Sequence, residues 1–294
     1  MNYNENISEN NYYDQCNINN LQIKSKDRVN NHGEVLTPEW LVKDMLDLLP
    51  KSVSKIDSRY LETSAGEGIF LIEVLRRKLV TIFNMYNGIS DREYYTIVAL
   101  CNIYGIELLK DNVEIARMRL EMLIKDFFIN KNNMITSDSF FDIVKMILDI
   151  NIINMDSMKF KEPVFDENNE IMMNDNGEFI YKNYPSCISE WEFDNEKKEV
   201  NRIEYYYEDV VNKQRQEYLK KNEKETVKTK NSIDLTENNE EGIGSLKVEQ
   251  MTFFASSNIK STDELENDKN IDEIVLKPVR VFKSVSYIKL LDLK

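Results

Sequence analysis

The chain has 294 residues, 41% hydrophobic and 31% charged, enough for one large domain or two ordinary ones and too many for a disulfide-stapled miniprotein. Its 38 basic residues stand against 52 acidic ones, a formal charge of −14, which excludes broad electrostatic attraction to nucleic acid and leaves only local or partner-assisted contact. One histidine, His32, and three scattered cysteines, Cys16, Cys101 and Cys187, remove Ser-His-Asp and Cys-His nucleophiles, histidine-rich metal sites and C-x-x-C motifs.

Residues 1–27 are polar and Asn-rich and are expected to form a loose arm. At Thr37-Pro38-Glu39-Trp40 a helix is expected to start, with Thr37 as cap and Pro38 in the first turn. It should run to Leu49 and present Leu41, Met45, Leu48 and Leu49 as its apolar face, with Trp40 packed in the core or beside a cofactor. A strand over Arg59 to Thr63, a turn over Ser64 to Gly68 and a helix over Ile69 to Met85 follow. Next come a helix over Asp91 to Leu100, a strand over Asn102 to Glu107, and a helix over Lys110 to Phe128 with Val113, Ala116, Leu120 and Leu123 on one face. A helix over Phe140 to Leu148 and a strand over Asn151 to Met155 complete the alternation. Strands alternating with helices predict an α/β core with a wound, mainly parallel sheet.

After Lys161 the pattern becomes aromatic and alternating, with segments at Gly177 to Lys182, Ser189 to Asp194 and Glu199 to Tyr207, the last two reading as a hairpin. The chain therefore divides into an arm (1–27), a core (28–160), an aromatic β region (161–211), a charged helix start and linker (212–275) and a terminal strand (276–294). No run of about 18 apolar residues and no signal-peptide pattern occurs, so a soluble cytoplasmic chain without a membrane contact is expected.

Two acids stand at the ends of successive predicted strands. Leu61-Glu62-Thr63-Ser64-Ala65-Gly66-Glu67-Gly68 places Glu62 and two glycines before a helix, and Ile103-Tyr104-Gly105-Ile106-Glu107-Leu108 ends the next strand on Glu107. Glycine lets backbone approach a ligand closely, the open strand ends of a parallel sheet are where ligands bind, and an acid there can accept hydrogen bonds from a ribose diol. A helix-capping or solvated acid is the plainer alternative for Glu107. The turn lacks G-x-x-x-x-G-K-[ST] and has too few glycines for G-x-G-x-x-G, so a nucleoside without a phosphate chain suits it better than a triphosphate or a dinucleotide.

His32-Gly33-Glu34-Val35-Leu36-Thr37-Pro38-Glu39-Trp40-Leu41-Val42, Leu61 to Leu71, and Ile103 to Leu108 together resemble the amino-terminal half of bacterial adenine-N6 DNA methyltransferases of restriction-modification systems. The resemblance covers about residues 28–158 and implies a Rossmann-like fold that binds S-adenosylmethionine (SAM). It implies that Thr37 and Pro38 lie beside the cofactor and that Glu62, Ser64, Gly66 and Gly68 pass under its methionine part. Glu107 would hold the ribose, Leu108 pack on the adenine, and Asp156 in Asn154-Met155-Asp156-Ser157 accept the adenine amino group. No metal is implied. The Asn-Pro-Pro-aromatic loop that holds the target base in this family is not found: the prolines are Pro38, Pro50, Pro163, Pro185 and Pro278, none adjacent to another. Asn183-Tyr184-Pro185-Ser186 has the residue types in another order and reads as a turn. DNA is thus the implied partner, reached with a protein chain that supplies the loop. The alternative is a catalytically inactive, methyltransferase-like partner subunit or anti-restriction decoy.

Overall fold

The computed structural model describes residues 26–32, 34–49, 51–218 and 275–293. Two compact units divide the chain: Met1–Ser58 with Glu62–Asn154, and Arg59–Leu61 with Met155–Lys294. Among the described residues no helix is long and apolar enough to cross a membrane.

Apart from β1 (Tyr60–Glu62), whose Tyr60 and Leu61 fall in the second unit, the first unit runs α1 (Lys26–His32), α2 (Glu39–Asp47), α3 (Ile69–Met85), α4 (Ile89–Cys101), β2 (Ile103–Glu107), α5 (Lys110–Lys125), α6 (Phe140–Asn151) and β3 (Ile152–Asn154). The strands form a three-stranded parallel sheet in the order β1-β2-β3, with Gly105 opposite Ile152 and Glu107 opposite Asn154. All five residues of β2 are buried, as a middle strand covered on both faces requires. The predicted α5 face holds, since Val113, Ala116, Leu120 and Leu123 are all buried. The helix continues into a π-type turn at Asp126–Asn130, where Phe127 and Phe128 meet Phe83 edge-on.

Three sequence readings change at the amino-terminal end. The arm, expected to be loose over residues 1–27, gives way to helix α1 at Lys26, while residues 1–25 lie outside the described residues. Thr37 does not cap α2; Pro38 does, in extended backbone with φ −64° and ψ 146°, and its carbonyl accepts the N–H groups of Leu41 and Val42. The inward face of α2 is Val42 and Leu46, whereas Trp40 is 65% and Leu48 86% exposed. The buried face is thus displaced by one residue from the predicted one, Val42 and Leu46 in place of Leu41 and Met45. Arg77 of α3 holds the helix in this setting, pairing with Asp47 at 2.8 Å and donating to the Lys43 carbonyl at 3.3 Å.

Buried charge in this unit is compensated locally. Burial works against ionisation of Glu73, but hydrogen bonds from Arg76 (2.6 and 2.8 Å) and Arg77 (2.9 Å) outweigh it and lower its pKa. Lys78 is fully buried, its amine donating to the carbonyls of Ile56 (3.2 Å) and Ser58. Burial pushes that amine down to about 7, with Asp57 pulling the other way. Unfolded, it titrates near 10.5, so between these values the unfolded chain holds the extra proton and stability rises with pH. Relative to Lys78→Met, the wild type is expected to gain up to about 1.4 kcal/mol per pH unit between roughly pH 7 and 10 in urea unfolding. A pH-independent difference would mean that the two carbonyls keep the amine charged.

In the second unit, residues 155–182 carry isolated bridges, Asp156 with Lys161, Pro163 with Tyr181, Phe165 with Ile171 and Met173 with Phe179, in place of the predicted strand at Gly177 to Lys182. Asp166 and Asn174 close turns by accepting backbone N–H groups through their side chains, and this local bonding leaves each alternating stretch too short for a ladder. The hairpin is as expected: β4 (Cys187–Asp194) pairs antiparallel with β5 (Glu199–Tyr206). A helix over residues 207–218 follows, and the remainder of the predicted linker through residue 274 lies outside the described residues. The terminal strand exists only as two short pieces, β6 (Arg280–Val281) and β7 (Val285–Ser286), both paired with β5 before a 3-10 helix at Tyr287–Leu293. Trp191 and Arg202 fill the hairpin's inner face. The guanidinium of Arg202 lies 5.7 Å from the Trp191 ring and 4.7 Å from the Phe282 ring, with Ser189 at 2.9 Å.

Candidate functional site

The turn Ser64–Gly68 follows β1 and opens α3. The Ala65 N–H donates to the Ile106 carbonyl at 2.9 Å, tying the turn to β2, and the Gly68 N–H donates to the Ala65 carbonyl at 2.8 Å. The two glycines serve different needs. Gly66 has φ +53°, and a Cβ there would meet nothing within 4 Å; Gly68 has φ +81°, and a Cβ would lie 2.9 Å from the Ala116 Cβ of α5. Gly68 is therefore a packing requirement, and Gly66 faces open space.

Glu107, 8% exposed at the end of β2, closes the turn. One carboxylate oxygen accepts the Gly66 N–H at 2.7 Å and the other the Leu109 N–H at 2.9 Å. A carboxylate has about four acceptor positions, so two backbone donors leave it able to accept the hydroxyls of a diol. Glu62 accepts the exposed Ser64 N–H at 3.4 Å, and Leu108 is half-buried beside Glu107. Asn154, at the end of β3, donates its side-chain amide to the carbonyls of Glu107 (3.0 Å) and Leu108 (2.8 Å), fixing the backbone on which both side chains sit.

Helix α5 is the hub of the site. Arg119 binds Glu67 of the turn at 3.1 Å, and Arg117 reaches the carbonyls of Ile152 (2.6 Å) and Asp149 (3.0 Å). At its first turn, Arg28 of α1 donates to Asp111 at 2.7 and 3.2 Å, to Asn112 at 3.4 Å and to Glu34, and buried Asn112 returns a bond to Glu34 at 2.8 Å. The half-buried Thr37 and Pro38 lie three and four residues beyond Glu34, on a segment this network holds to α5.

The fold thus brings Glu62, Ser64, Gly66, Gly68, Glu107 and Leu108 to one end of the parallel sheet. Asp156 belongs to the second unit. One of its oxygens accepts the N–H groups of Met158 (2.8 Å) and Lys159 (3.1 Å), and the other accepts the Tyr181 hydroxyl. Burial, and then the bond to Asp156, raise the Tyr181 pKa. Sequence reading missed Arg28, Asn112 and Asn154. Asn154 stood inside the quoted Asn-Met-Asp-Ser stretch, whereas Arg28 carried no local signal.

These features define a mixed α/β protein with a glycine turn and a buried acid at the strand ends of a parallel sheet. No known family, curated protein or solved structure matches the chain significantly.

Proposed function

We propose that the first unit binds S-adenosylmethionine and that the chain serves adenine-N6 DNA methylation, as the enzyme or as the cofactor-binding subunit of a split one. The observation that carries this reading is the pairing of Gly66 with Glu107: open space beside a positive-φ glycine, next to a buried carboxylate with acceptor capacity to spare. The strand order β1-β2-β3, with helices between successive strands, supports one half of a wound, Rossmann-like sheet. When bound, the cofactor supplies an electrophilic methyl group on a sulfonium.

The chain's own residues would bind and orient. Glu107 would accept the ribose hydroxyls, Gly66 would leave backbone room for the methionine part beside Glu62 and Ser64, and Leu108 would cover one face of the adenine. Thr37 and Pro38 would flank the pocket. Asp156 contributes least, because both of its oxygens already serve its own turn and Tyr181. The absence of adjacent prolines and the bend at Asn183 and Tyr184 favour a partner chain that supplies the base-holding loop. The same observation supports the second reading, a catalytically inactive, methyltransferase-like partner subunit or anti-restriction decoy.

Calorimetric titration of SAM into the purified chain tests the proposal. The wild type is expected to bind in the micromolar range. Gly66→Asn, which tolerates positive φ but fills the open space, is expected to bind at least tenfold more weakly while losing no more than about 1 kcal/mol of stability. Failure of the wild type to bind SAM would overturn the proposal.

A further inference from the structure

The tie between α1 and the first turn of α5 is more elaborate than docking a seven-residue helix needs. One guanidinium serves three side chains, two of them carboxylates, and Asn112, 1% exposed, bridges back to Glu34. A planar guanidinium can donate five hydrogen bonds in fixed directions, so such a network sets relative position as well as attraction. The network begins four residues after Glu107. Leu109, whose N–H holds the Glu107 carboxylate, gives its carbonyl to the Val113 N–H at 3.2 Å, within the turn that carries Asp111 and Asn112. At its other end Glu34 leads directly into Val35-Leu36-Thr37-Pro38. Hydrogen bonds therefore link the turn glycine Gly66 to Glu107, Glu107 to Leu109 and Leu109 to Val113, and the adjacent Asn112 carries the connection on to Glu34.

We propose that Arg28 is a positioning residue for the nucleoside pocket: by clamping Glu34 to Asp111 and Asn112, it holds the 34–38 segment as a wall of the pocket whose floor is Gly66 and Glu107. The inference rests on the SAM reading above. Arg28 touches no ligand; it acts through Glu34 and α5. Lysine is a poor replacement, because a single ammonium does not reproduce the planar fork. Binding and ordering are linked, so a ligand that contacts the wall also stabilises the clamp.

The test compares the full-length wild type with Arg28→Ala, Arg28→Lys and Arg76→Ala. Arg76→Ala breaks a bonded pair on α3 and controls for loss of an ion pair alone. SAM affinity is measured by calorimetry well below the unfolding temperature, and hydrogen exchange is followed over residues 34–42 without ligand. Arg28→Ala is expected to weaken SAM binding at least tenfold and to speed exchange over 34–42, Arg28→Lys to recover only part of the affinity, and Arg76→Ala to change neither. Wild-type binding with equal affinity in Arg28→Ala overturns the positioning role and leaves the SAM reading standing. No binding by the wild type overturns the SAM reading and the positioning role with it; exchange over 34–42 then reports whether Arg28 orders the segment at all.

Discussion

Replacing Gly68 with alanine is expected to destabilise the protein by roughly 2–5 kcal/mol, from about 1–2 for a left-handed non-glycine residue and about 1–3 for overpacking. Both penalties arise at one atom. Gly68 has φ +81°, and its added Cβ would stand 2.9 Å from the Ala116 Cβ and 3.3 Å from the Ala116 Cα, backbone that cannot swing aside. Ala116 is fully buried in the middle of α5, so relief would require α3 and α5 to separate, pulling Arg119 from Glu67. Against a total stability of about 5–15 kcal/mol for an ordinary domain, the loss should move the urea midpoint severely. A loss below about 1 kcal/mol would show that the two helices yield easily and that the close approach is not a constraint.

Glu107→Ala is expected to weaken SAM binding by about 1.5–3 kcal/mol, or roughly 10–150-fold, the usual effect of losing a charged hydrogen-bond acceptor. Two contributions would combine: the ribose would lose its proposed acceptor, and the Gly66 and Leu109 N–H groups lose the oxygen that fixes them. Glu107→Gln keeps the shape but directs an NH₂ donor at one of those N–H groups, so it is expected to fall well below the wild type too. Calorimetry of the three proteins side by side checks this. Unchanged affinity in Glu107→Ala would reduce Glu107 to a cap for its own turn, the plainer role its position also allows.

The core was readable where periodicity and burial agree. Helix α3 occupies the predicted Ile69–Met85, and the α5 stripe Val113, Ala116, Leu120 and Leu123 is buried as its spacing implies. In α5, apolar residues at spacings of three and four leave one stripe much stronger than any other, and α3 is long and strongly apolar. In α2 the spacing finds the apolar side but misplaces its centre by one residue: contact with α3 turns Val42 and Leu46 inward while Trp40 and Leu48 face outward. In the second unit, alternation predicted strands both where the hairpin formed and where Asp166 and Asn174 closed short turns instead, because side-chain bonds to the backbone compete with ladders without altering the hydrophobic pattern.

The site divides the same way. The acids at the ends of β1 and β2 and the glycines between them are local facts of strand, turn and helix, and the sequence by itself determined them together with the parallel α/β core and the β4–β5 hairpin. Which glycine serves packing and which faces open space was decided by Ala116, 48 residues away from Gly68. That Asn154 pins the Glu107 backbone and Arg28 clamps Glu34 to α5 was likewise decided only by the tertiary structure. Periodicity, capping and turn chemistry act over a few residues and leave a trace in the order of side chains, whereas a hydrogen bond between residues 83 positions apart, as between Arg28 and Asp111, depends on where helices and strands come to rest and leaves none.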